Sequence, residues 1–396
     1  MKMKKKYINR RNFLRLSATT ALGTFFLPAM GKNSSDGKLL DKGNSIPVRT
    51  LGRTGIELPI LGLGVDRPDS NNVLRAAYNA GVKHFDTANG YQNGRNEEMV
   101  GKTLQGKPRE SAFVCTKIYF PYPLQDNFEE DFNSRLEASL KRLRMDYVDG
   151  LYIHMGTAAS VKDERVIKVM EKAKTEGKTR FLGFSSHEQN PEVINAAIDV
   201  GIYDIALVSY NFKMTNIKEI EAAMERGVKS GMGFITMKAM AGGVEDAEGK
   251  KKINAKACLH WVWQNKNITT VIPGLFNYEQ LEECLEAAYQ PELTVDEKQY
   301  LAMLTERELL YCQQCGKCRQ QCPKQLPIPD IMRAYMYAYG YKHAQQSKDT
   351  LLSLNLSSNP CSDCESCTVR CPSGFDVAGK IASVTPVTKV PDVFLT

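Results

Sequence analysis

The sequence lacks several features that would assign it to common classes of protein. Past the amino terminus, none of its apolar runs reaches the roughly 20 residues that a membrane-spanning helix needs. The first short apolar run, residues 60–65, is not followed by the Gly-x-Gly-x-x-Gly fingerprint of a doubly wound dinucleotide-binding sheet. The sequence therefore argues against a transmembrane span in the mature chain, and against that type of nucleotide-binding fold.

The chain also has no formal net charge once its first 31 residues are left out. The whole chain has a formal net charge of +7. Residues 1–31 contain four Lys and three Arg and no acidic residue, so they account for the whole surplus and leave a balance of 0. The basic isoelectric point is therefore no evidence for binding to nucleic acid or to anionic membranes. We expect neither as a partner.

Residues 1–31 resemble a twin-arginine export signal. Basic residues that include Arg10 and Arg11 precede a mildly apolar stretch, residues 16–30, and cleavage is expected near residues 29–31. The alternative is a basic disordered tail. The signal predicts that the twin-arginine machinery exports the chain already folded, and that the mature protein is periplasmic.

Eight of the eleven cysteines lie in two runs near the carboxyl terminus. Each run reads Cys-x-x-Cys-x-x-Cys-x-x-x-Cys-Pro, the spacing by which bacterial ferredoxins hold two 4Fe-4S clusters. Soft thiolates suit iron-sulfur clusters, whereas zinc prefers isolated Cys-x-x-Cys pairs. Zinc and disulfides are the alternatives. The predicted cluster ligands are Cys312, Cys315, Cys318 and Cys322, then Cys361, Cys364, Cys367 and Cys371.

The resemblance to two-cluster ferredoxins also implies a pairing. In those proteins the fourth cysteine of each run serves the other cluster. We therefore expect Cys371 to complete the first three cysteines, and Cys322 to complete the later three. The long insert between the runs resembles the helical ferredoxin domains of larger oxidoreductases, and its tyrosine-rich helix, residues 328–341, is expected to pack around a cluster.

Between the two ends of the chain, short apolar runs alternate with amphipathic stretches. This alternation indicates βα units and a parallel sheet, and about 245 residues is the usual size of an eightfold barrel. A hairpin is expected first, around Arg53-Thr54-Gly55. The predicted strands are residues 60–65, 84–88, 112–116, 148–154, 180–185, 205–210, 233–237 and 269–272, and one clear helix is Phe128 to Leu143.

The predicted architecture is an α/β chain: a (β/α)8 TIM barrel followed by a small, mainly helical ferredoxin-like domain. The predicted divisions are a signal peptide at residues 1–31, a linker at 32–45, a barrel at 46–290, a connecting helical segment at 291–311, and an iron-sulfur domain at 312–396.

Four polar residues stand at the ends of predicted strands, where a βα barrel gathers its chemistry. Asp86 ends the second strand and Tyr91 follows five residues later, while Lys117 ends the third strand and His154 the fourth. A tyrosine that donates a proton near neutral pH is helped by a nearby cation. Lys117 would supply that charge and Asp86 would hold it in place. His154 would orient a substrate carbonyl.

From residue 48 to residue 290 the sequence resembles the aldo/keto reductases. The match includes Gly81-Val82-Lys83-His84-Phe85-Asp86-Thr87-Ala88, Asn96-Glu97, and the stretch Asp146-Tyr147-Val148-Asp149 that leads to His154. The resemblance implies that Asp86, Tyr91, Lys117 and His154 form the catalytic tetrad. It also implies that the barrel interconverts a carbonyl and an alcohol with a nicotinamide cofactor, NADP or NAD.

The resemblance assigns cofactor contacts to Ser185, Ser186, Gly274 and Asn277. Several positions depart from the family pattern. Ser186 replaces an asparagine that grips the nicotinamide, and Met237-Lys238 replaces a stacking aromatic. Gly274 and Gln280 stand where many relatives place a basic residue against a 2′-phosphate.

These features together predict an exported oxidoreductase that acts on a small carbonyl or alcohol, with two clusters that couple it to a redox partner protein. The alternative is an electron-transfer or docking protein whose barrel no longer turns over nicotinamide. The weakened cofactor contacts favour the alternative, and the four intact strand-end residues favour the enzyme.

Overall fold

The structure is a computed structural model, and it describes residues 45–66, 70–246 and 249–395. The predicted export signal, residues 1–31, lies outside the described residues. No helix in the described ranges is long and apolar enough to cross a bilayer.

Eight parallel strands form the central sheet, and their order in space follows their order in the chain. The sheet closes on itself because residues in or next to the last strand bridge to residues in or next to the first, Val271 to Leu61 and Gly274 to Gly64. The predicted barrel is therefore confirmed. Its strands are β3 (Leu63–Gly64), β4 (His84–Asp86), β5 (Phe113–Ile118), β6 (Val148–Ile153), β7 (Thr179–Ser186), β8 (Ile205–Ser209), β9 (Gly233–Met237) and β10 (Ile268–Val271).

Amphipathic helices surround the barrel. The predicted helix Phe128–Leu143 is present with the same bounds, and it buries a stripe at helical spacing that includes Phe132, Leu136 and Leu140. It ends where Arg144 adopts a left-handed conformation with φ of 59°. The helices are α1 (Asn71–Asn79), α2 (Arg95–Leu104), α3 (Phe128–Leu143), α4 (Ala158–Lys162), α5 (Glu164–Thr175), α6 (Asn190–Val200), α7 (Ile217–Lys229), α8 (Ala255–Gln264) and α9 (Tyr278–Tyr289).

The predicted hairpin closes the amino end of the barrel. Its strands are β1 (Val48–Thr50) and β2 (Glu57–Pro59), joined by a 3-10 turn. Leu51 and Leu58 are buried in the apolar cluster inside the barrel. A Cβ at Gly52 would lie 2.4 Å from the backbone nitrogen of Gly233, so only glycine allows this close approach. With its amino end sealed, the barrel has its carboxyl end left for a binding pocket.

A smaller helical unit follows the barrel. Helix α10 (Val295–Thr305) begins with a capping box formed by Thr294 and Glu297. Helices α11 (Ile328–Tyr339), α12 (Ala344–Ser353) and α13 (Val377–Val384) share an apolar core with cysteines of both runs. Five short 3-10 turns complete the elements: Gly52–Thr54, Tyr91–Gly94, Arg109–Ser111, Thr385–Lys389 and Asp392–Phe394.

Candidate active site and cluster region

The barrel brings the four predicted catalytic residues to one end of its strands. Asp86 is the last residue of β4, Lys117 lies near the end of β5, and His154 directly follows β6. Tyr91 begins the 3-10 turn that follows β4. Because parallel strands carry their carboxyl ends to the same edge, residues from three strands converge there.

The contacts of Lys117 hold this group together. Its ammonium forms a buried ion pair with Asp86, and Nζ also donates to the carbonyl oxygen of Thr87 at 2.7 Å. The same nitrogen lies 3.5 Å from the hydroxyl oxygen of Tyr91. The ring of Tyr91 meets His154 edge to face, with centroids 5.6 Å apart. A carbonyl oxygen placed between Tyr91 and His154 would therefore face two hydrogen-bond donors.

Burial sets the protonation states of the group. It raises the pKa of Asp86 to about 6, against the opposing effect of Lys117. It raises the pKa of Tyr91 well above its usual value, and Asp66 and Asp86 add to this rise. Burial also holds the pKa of His154 well below its usual value, helped by Lys117. At neutral pH, Tyr91 is a protonated phenol and His154 is a neutral imidazole.

The ammonium of Lys117 is adjacent to the tyrosine, and its expected role in tuning that residue remains a prediction. In the resting site, burial and two nearby carboxylates raise the pKa of Tyr91. The resting state therefore keeps the proton that a general acid must donate. Two atoms of the group, Oδ2 of Asp86 and Nδ1 of His154, are buried without a hydrogen-bond partner among the described residues.

A cavity of about 790 Å³ opens from this group. Pockets of roughly 300–1,000 Å³ are the usual size for small-molecule and cofactor sites. One side is formed by the barrel, including Asp86, Tyr91 and Lys238, and another by Tyr337 and Tyr341 of the helical unit. The cavity therefore has walls from both parts of the chain.

Two hydrogen bonds join these walls. Nζ of Lys238 donates to the hydroxyl oxygen of Tyr337 at 2.8 Å, and the backbone N–H of Gly242 donates to the hydroxyl oxygen of Tyr341 at 3.3 Å. Lys238 has a positive φ of 63° at the end of β9. Such a conformation is uncommon for a non-glycine residue and occurs often at functional sites.

Helix α11 also places a charge over the site. Arg333 is buried, and its Nη2 lies 3.3 Å from Sδ of Met155, the residue after His154. The same nitrogen pairs with Asp330 at 2.8 Å. The charge of Arg333 contributes to lowering the pKa values of His154 and His187, for both of which burial is the larger cause.

Further polar contacts fix the helical unit on the barrel mouth. The guanidinium of Arg319 makes a two-point ion pair with Glu188, which lies just after β7. Nδ2 of Asn211 donates to Oε1 of Gln313 at 3.0 Å. Because Arg319 directly follows Cys318, this interface connects a predicted cluster loop to the end of a barrel strand.

The predicted cofactor residues divide into two groups. Ser185 accepts from the N–H of Met155 and donates to the carbonyl oxygen of Ile153, and Ser186 donates to the carbonyl oxygen of Glu188. Neither serine is among the residues that line the cavity, whereas Gly274 and Asn277 both line it. Their roles in cofactor binding remain predictions.

The cysteine-rich region brings the two runs together. All eleven cysteines of the chain are free thiols, which argues against a disulfide framework. Cys322 of the first run lines a cavity of about 340 Å³ with Cys361, Cys364 and Cys367 of the second. The structure therefore has the fourth cysteine of one run beside the first three of the other.

The reverse grouping is seen at the first run. Burial, with smaller contributions from Cys318, Cys315 and Cys371, raises the pKa of the Cys312 thiol to about 12. Cys315 and Cys371 also contribute to the raised pKa of Cys318, after burial. Cys371 thus lies with the three earlier cysteines, and each group contains four thiols, the number of ligands that a 4Fe-4S cluster takes.

Three residues around the site were not assigned to it from the sequence: Arg333, Tyr337 and, as a hydrogen-bond donor, Lys238. The signal that could have found the first two is their spacing in α11. Asp330, Arg333 and Tyr337 follow each other at three and four residues, which places them on one face of a helix. Charged residues on that face of an otherwise apolar helix indicate a polar partner surface.

Two known proteins are similar in sequence to more than half of this chain. L-galactose dehydrogenase of Arabidopsis thaliana is 27% identical over 289 residues, which cover 62% of this chain and 89% of the plant protein. An aldo-keto reductase of Mycolicibacterium smegmatis is 28% identical over 244 residues, covering 57% of this chain and 82% of that protein.

A solved structure is also similar. The holo form of an aldo-keto reductase from Bacillus halodurans superposes with a TM-score of 0.56 at 22% identity, covering 66% of this chain and 96% of that one. This likeness supports the fold alone.

Sequence profiles account for both parts of the chain. A 4Fe-4S dicluster domain matches residues 311–376. The aldo/keto reductase family matches residues 55–257, a little over half of the chain. The chain belongs to the aldo/keto reductase family and is an oxidoreductase with a 4Fe-4S dicluster domain at its carboxyl end.

Proposed function

We propose that the barrel interconverts a small carbonyl compound and its alcohol with a bound nicotinamide dinucleotide. The observation that carries this proposal is the convergence of Asp86, Tyr91, Lys117 and His154 at the carboxyl end of the barrel, beside a cavity of about 790 Å³. Asp86 lines this cavity, and its buried Oδ2 has no hydrogen-bond partner among the residues that the structure describes, which supports a polar occupant.

The nicotinamide, when bound, supplies or accepts the hydride. Tyr91 donates its proton to the carbonyl oxygen in the reducing direction, and the ammonium of Lys117 stabilises the phenolate that remains. The ion pair with Asp86 holds Lys117 in place. His154, held neutral by burial, donates a hydrogen bond that orients the carbonyl.

We further propose that the helical unit holds two 4Fe-4S clusters. Cys312, Cys315 and Cys318 would hold one with Cys371, and the later three cysteines would hold the other with Cys322. When bound, such clusters transfer single electrons. Cys364 is exposed, so the cluster of the later run would lie nearer the surface, where a redox partner protein could reach it.

The signal-like amino terminus supports export by the twin-arginine route to the periplasm. That route carries folded proteins, which fits a chain whose thiols must receive clusters before it leaves the cytoplasm. The redox partner of the clusters would then be a periplasmic or membrane-associated electron carrier.

Replacing Tyr91 by phenylalanine tests the catalytic proposal. Removing a general acid is expected to lower carbonyl turnover by about 10²–10⁴-fold, while the visible absorbance of the clusters stays unchanged. Tyr147→Phe is the matched control, because Tyr147 directly precedes β6 and so lies at the opposite end of the barrel. Turnover that survives Tyr91→Phe would contradict the tetrad assignment.

A binding measurement separates the enzyme from the alternative. NADH and NADPH are added to the cluster-loaded chain, and bound nucleotide is measured directly. If neither binds, the barrel does not use nicotinamide, and an electron-transfer or docking protein becomes the better description. The internal hydrogen bonds of Ser185 and Ser186 favour that alternative, because both hydroxyls are already engaged.

A further inference from the structure

The cavity beside the catalytic group has two chemically different ends. One end is lined by Asp86 and Tyr91 at the carboxyl end of the barrel strands. The other end is lined by Glu279, Gln280 and Glu283, all on helix α9 of the outer ring. An occupant that fills the cavity therefore extends from the barrel interior to the outer helices.

The outer end is acidic. Glu279 and Glu283 are four residues apart on one helix, so their carboxylates lie on the same face. Burial raises the pKa of Glu283, and the neighbouring charge of Glu279 raises it further. Among the residues that the structure describes, three lysines line the cavity, and of these Lys252 acts on Glu283 and lowers its pKa. Lys256 lowers the pKa of Glu283 as well, but its ammonium is paired with Glu286.

The two amides at this end are already engaged as acceptors. The side chain of Asn277 accepts from the N–H of Gln280 at 3.0 Å, and the side chain of Gln280 accepts from the N–H of Phe276 at 2.7 Å. Carboxylates accept hydrogen bonds and repel anions. The outer end is therefore suited to hydroxyl groups and unsuited to a phosphate.

Another part of the cavity wall, where the barrel meets the helical unit, has the opposite character. Lys238 and Lys342 line it, as do the aromatic rings of Tyr337 and Tyr341. A Cβ at Gly249 would lie 2.8 Å from Nζ of Lys342, so this lysine reaches across to the barrel loop. Ammonium groups bind phosphate oxygens as point charges, and tyrosine rings provide flat apolar contact area.

We propose that this cavity selects NAD(H) over NADP(H) and holds it between the barrel and the helical unit. This inference rests on the proposed function, because it places the reactive ring of the dinucleotide beside Tyr91. The second nucleoside then lies at the acidic end, where Glu279 and Glu283 accept from its ribose hydroxyls. A 2′-phosphate in the same position would face both carboxylates. The diphosphate lies between, near Lys238 and Lys342.

The test measures binding rather than turnover. Equilibrium dialysis of the full, cluster-loaded chain is expected to give an affinity for NADH at least about tenfold higher than for NADPH. The double variant Glu279→Gln with Glu283→Gln is expected to lower this ratio by about tenfold, mainly through tighter binding of NADPH. Glu282→Gln is the matched control: Glu282 lies on the same helix but not in the cavity wall, so this change should leave the ratio unaltered.

The outcomes separate this inference from the function on which it rests. Equal or tighter binding of NADPH by the parent chain overturns the inference and leaves the proposed reaction standing. A ratio that the double variant does not change also overturns it. Binding of neither dinucleotide overturns both the inference and the nicotinamide chemistry. Cluster absorbance, measured for each variant, verifies that the chain is folded.

Discussion

Replacing Arg333 by methionine is expected to destabilise helix α11, in which Arg333 pairs with Asp330. Arg333 is 3% exposed, and its Nη2 lies 2.8 Å from the carboxylate of Asp330. At an effective dielectric constant of about 20, this separation corresponds to roughly 6 kcal/mol of attraction, most of which offsets desolvation. Methionine has a suitable apolar shape beside Met155 but leaves Asp330 buried without its closest cation.

The size of the expected destabilisation follows from the carboxylate of Asp330, which the substitution leaves without its closest cation. Removing one partner of a buried ion pair typically lowers the free energy of unfolding by about 3–5 kcal/mol. Arg319 lies 3.7 Å from the other oxygen of Asp330 and remains after the substitution, so we expect a value near the lower limit, about 3 kcal/mol. The double variant Arg333→Met with Asp330→Asn should recover most of this loss, because no buried charge is then left unpaired.

The assay is a denaturant titration of the parent, each single variant and the double variant, followed through the visible absorbance of the clusters. Arg75→Met is the matched control, since Arg75 is exposed on helix α1 and should change stability by less than about 0.5 kcal/mol. If Arg333→Met behaves like Arg75→Met, or if the two single effects simply add in the double variant, the buried ion pair does not stabilise helix α11.

Two further predictions concern the clusters and their export. Combining Cys371→Ser with Cys312→Ser should leave about four iron atoms per chain, because both changes damage the same cluster, whereas combining Cys371→Ser with Cys361→Ser should remove nearly all iron. Iron analysis that finds the first pair without iron would contradict the crossed ligation. Changing Arg10 and Arg11 to lysine should retain the cluster-loaded chain in the cytoplasm, and an unchanged periplasmic fraction on cell fractionation would contradict the export signal.

The elements that could be predicted from the sequence are those specified by local patterns. Helix Phe128–Leu143 was predicted with the bounds it has, because its apolar stripe has the period of a helix. Strand Gly233–Met237 was also predicted with its observed bounds. The first strand was predicted over residues 60–65 but is only Leu63–Gly64, because Leu61 meets the last strand through a single isolated bridge and not through a continuous ladder.

The four catalytic candidates could also be predicted from the sequence. Each lies at or just after a strand end, and the geometry of a parallel barrel brings strand ends together without any detailed knowledge of packing. The protonation states of these residues could not be predicted from the sequence. The sequence predicts that Lys117 and Tyr91 are neighbours, but only the fold shows that burial and the charge of Asp66 raise the pKa of the phenol.

The tyrosine-rich helix shows why contacts between the two parts of the chain escaped prediction. Its tyrosines were expected to pack together around a cluster. Residues two apart on a helix point about 200° apart, whereas residues four apart share a face. Tyr335 accordingly contacts Tyr339, with centroids 4.5 Å apart, while Tyr337 turns to the barrel and meets Lys238. The sequence alone does not say which of these faces meets a partner.

Helix α11 lies between the two cysteine runs in the chain, and this position links the cysteine-rich region to the barrel. The helix follows Cys322 and precedes Cys361, and both of these cysteines line the same cavity. A metal centre that joins them would fix the two ends of the intervening segment, and that segment carries Arg333 and Tyr337 to the mouth of the barrel. Cluster ligation and the shape of the catalytic cavity are thus connected through a single helix.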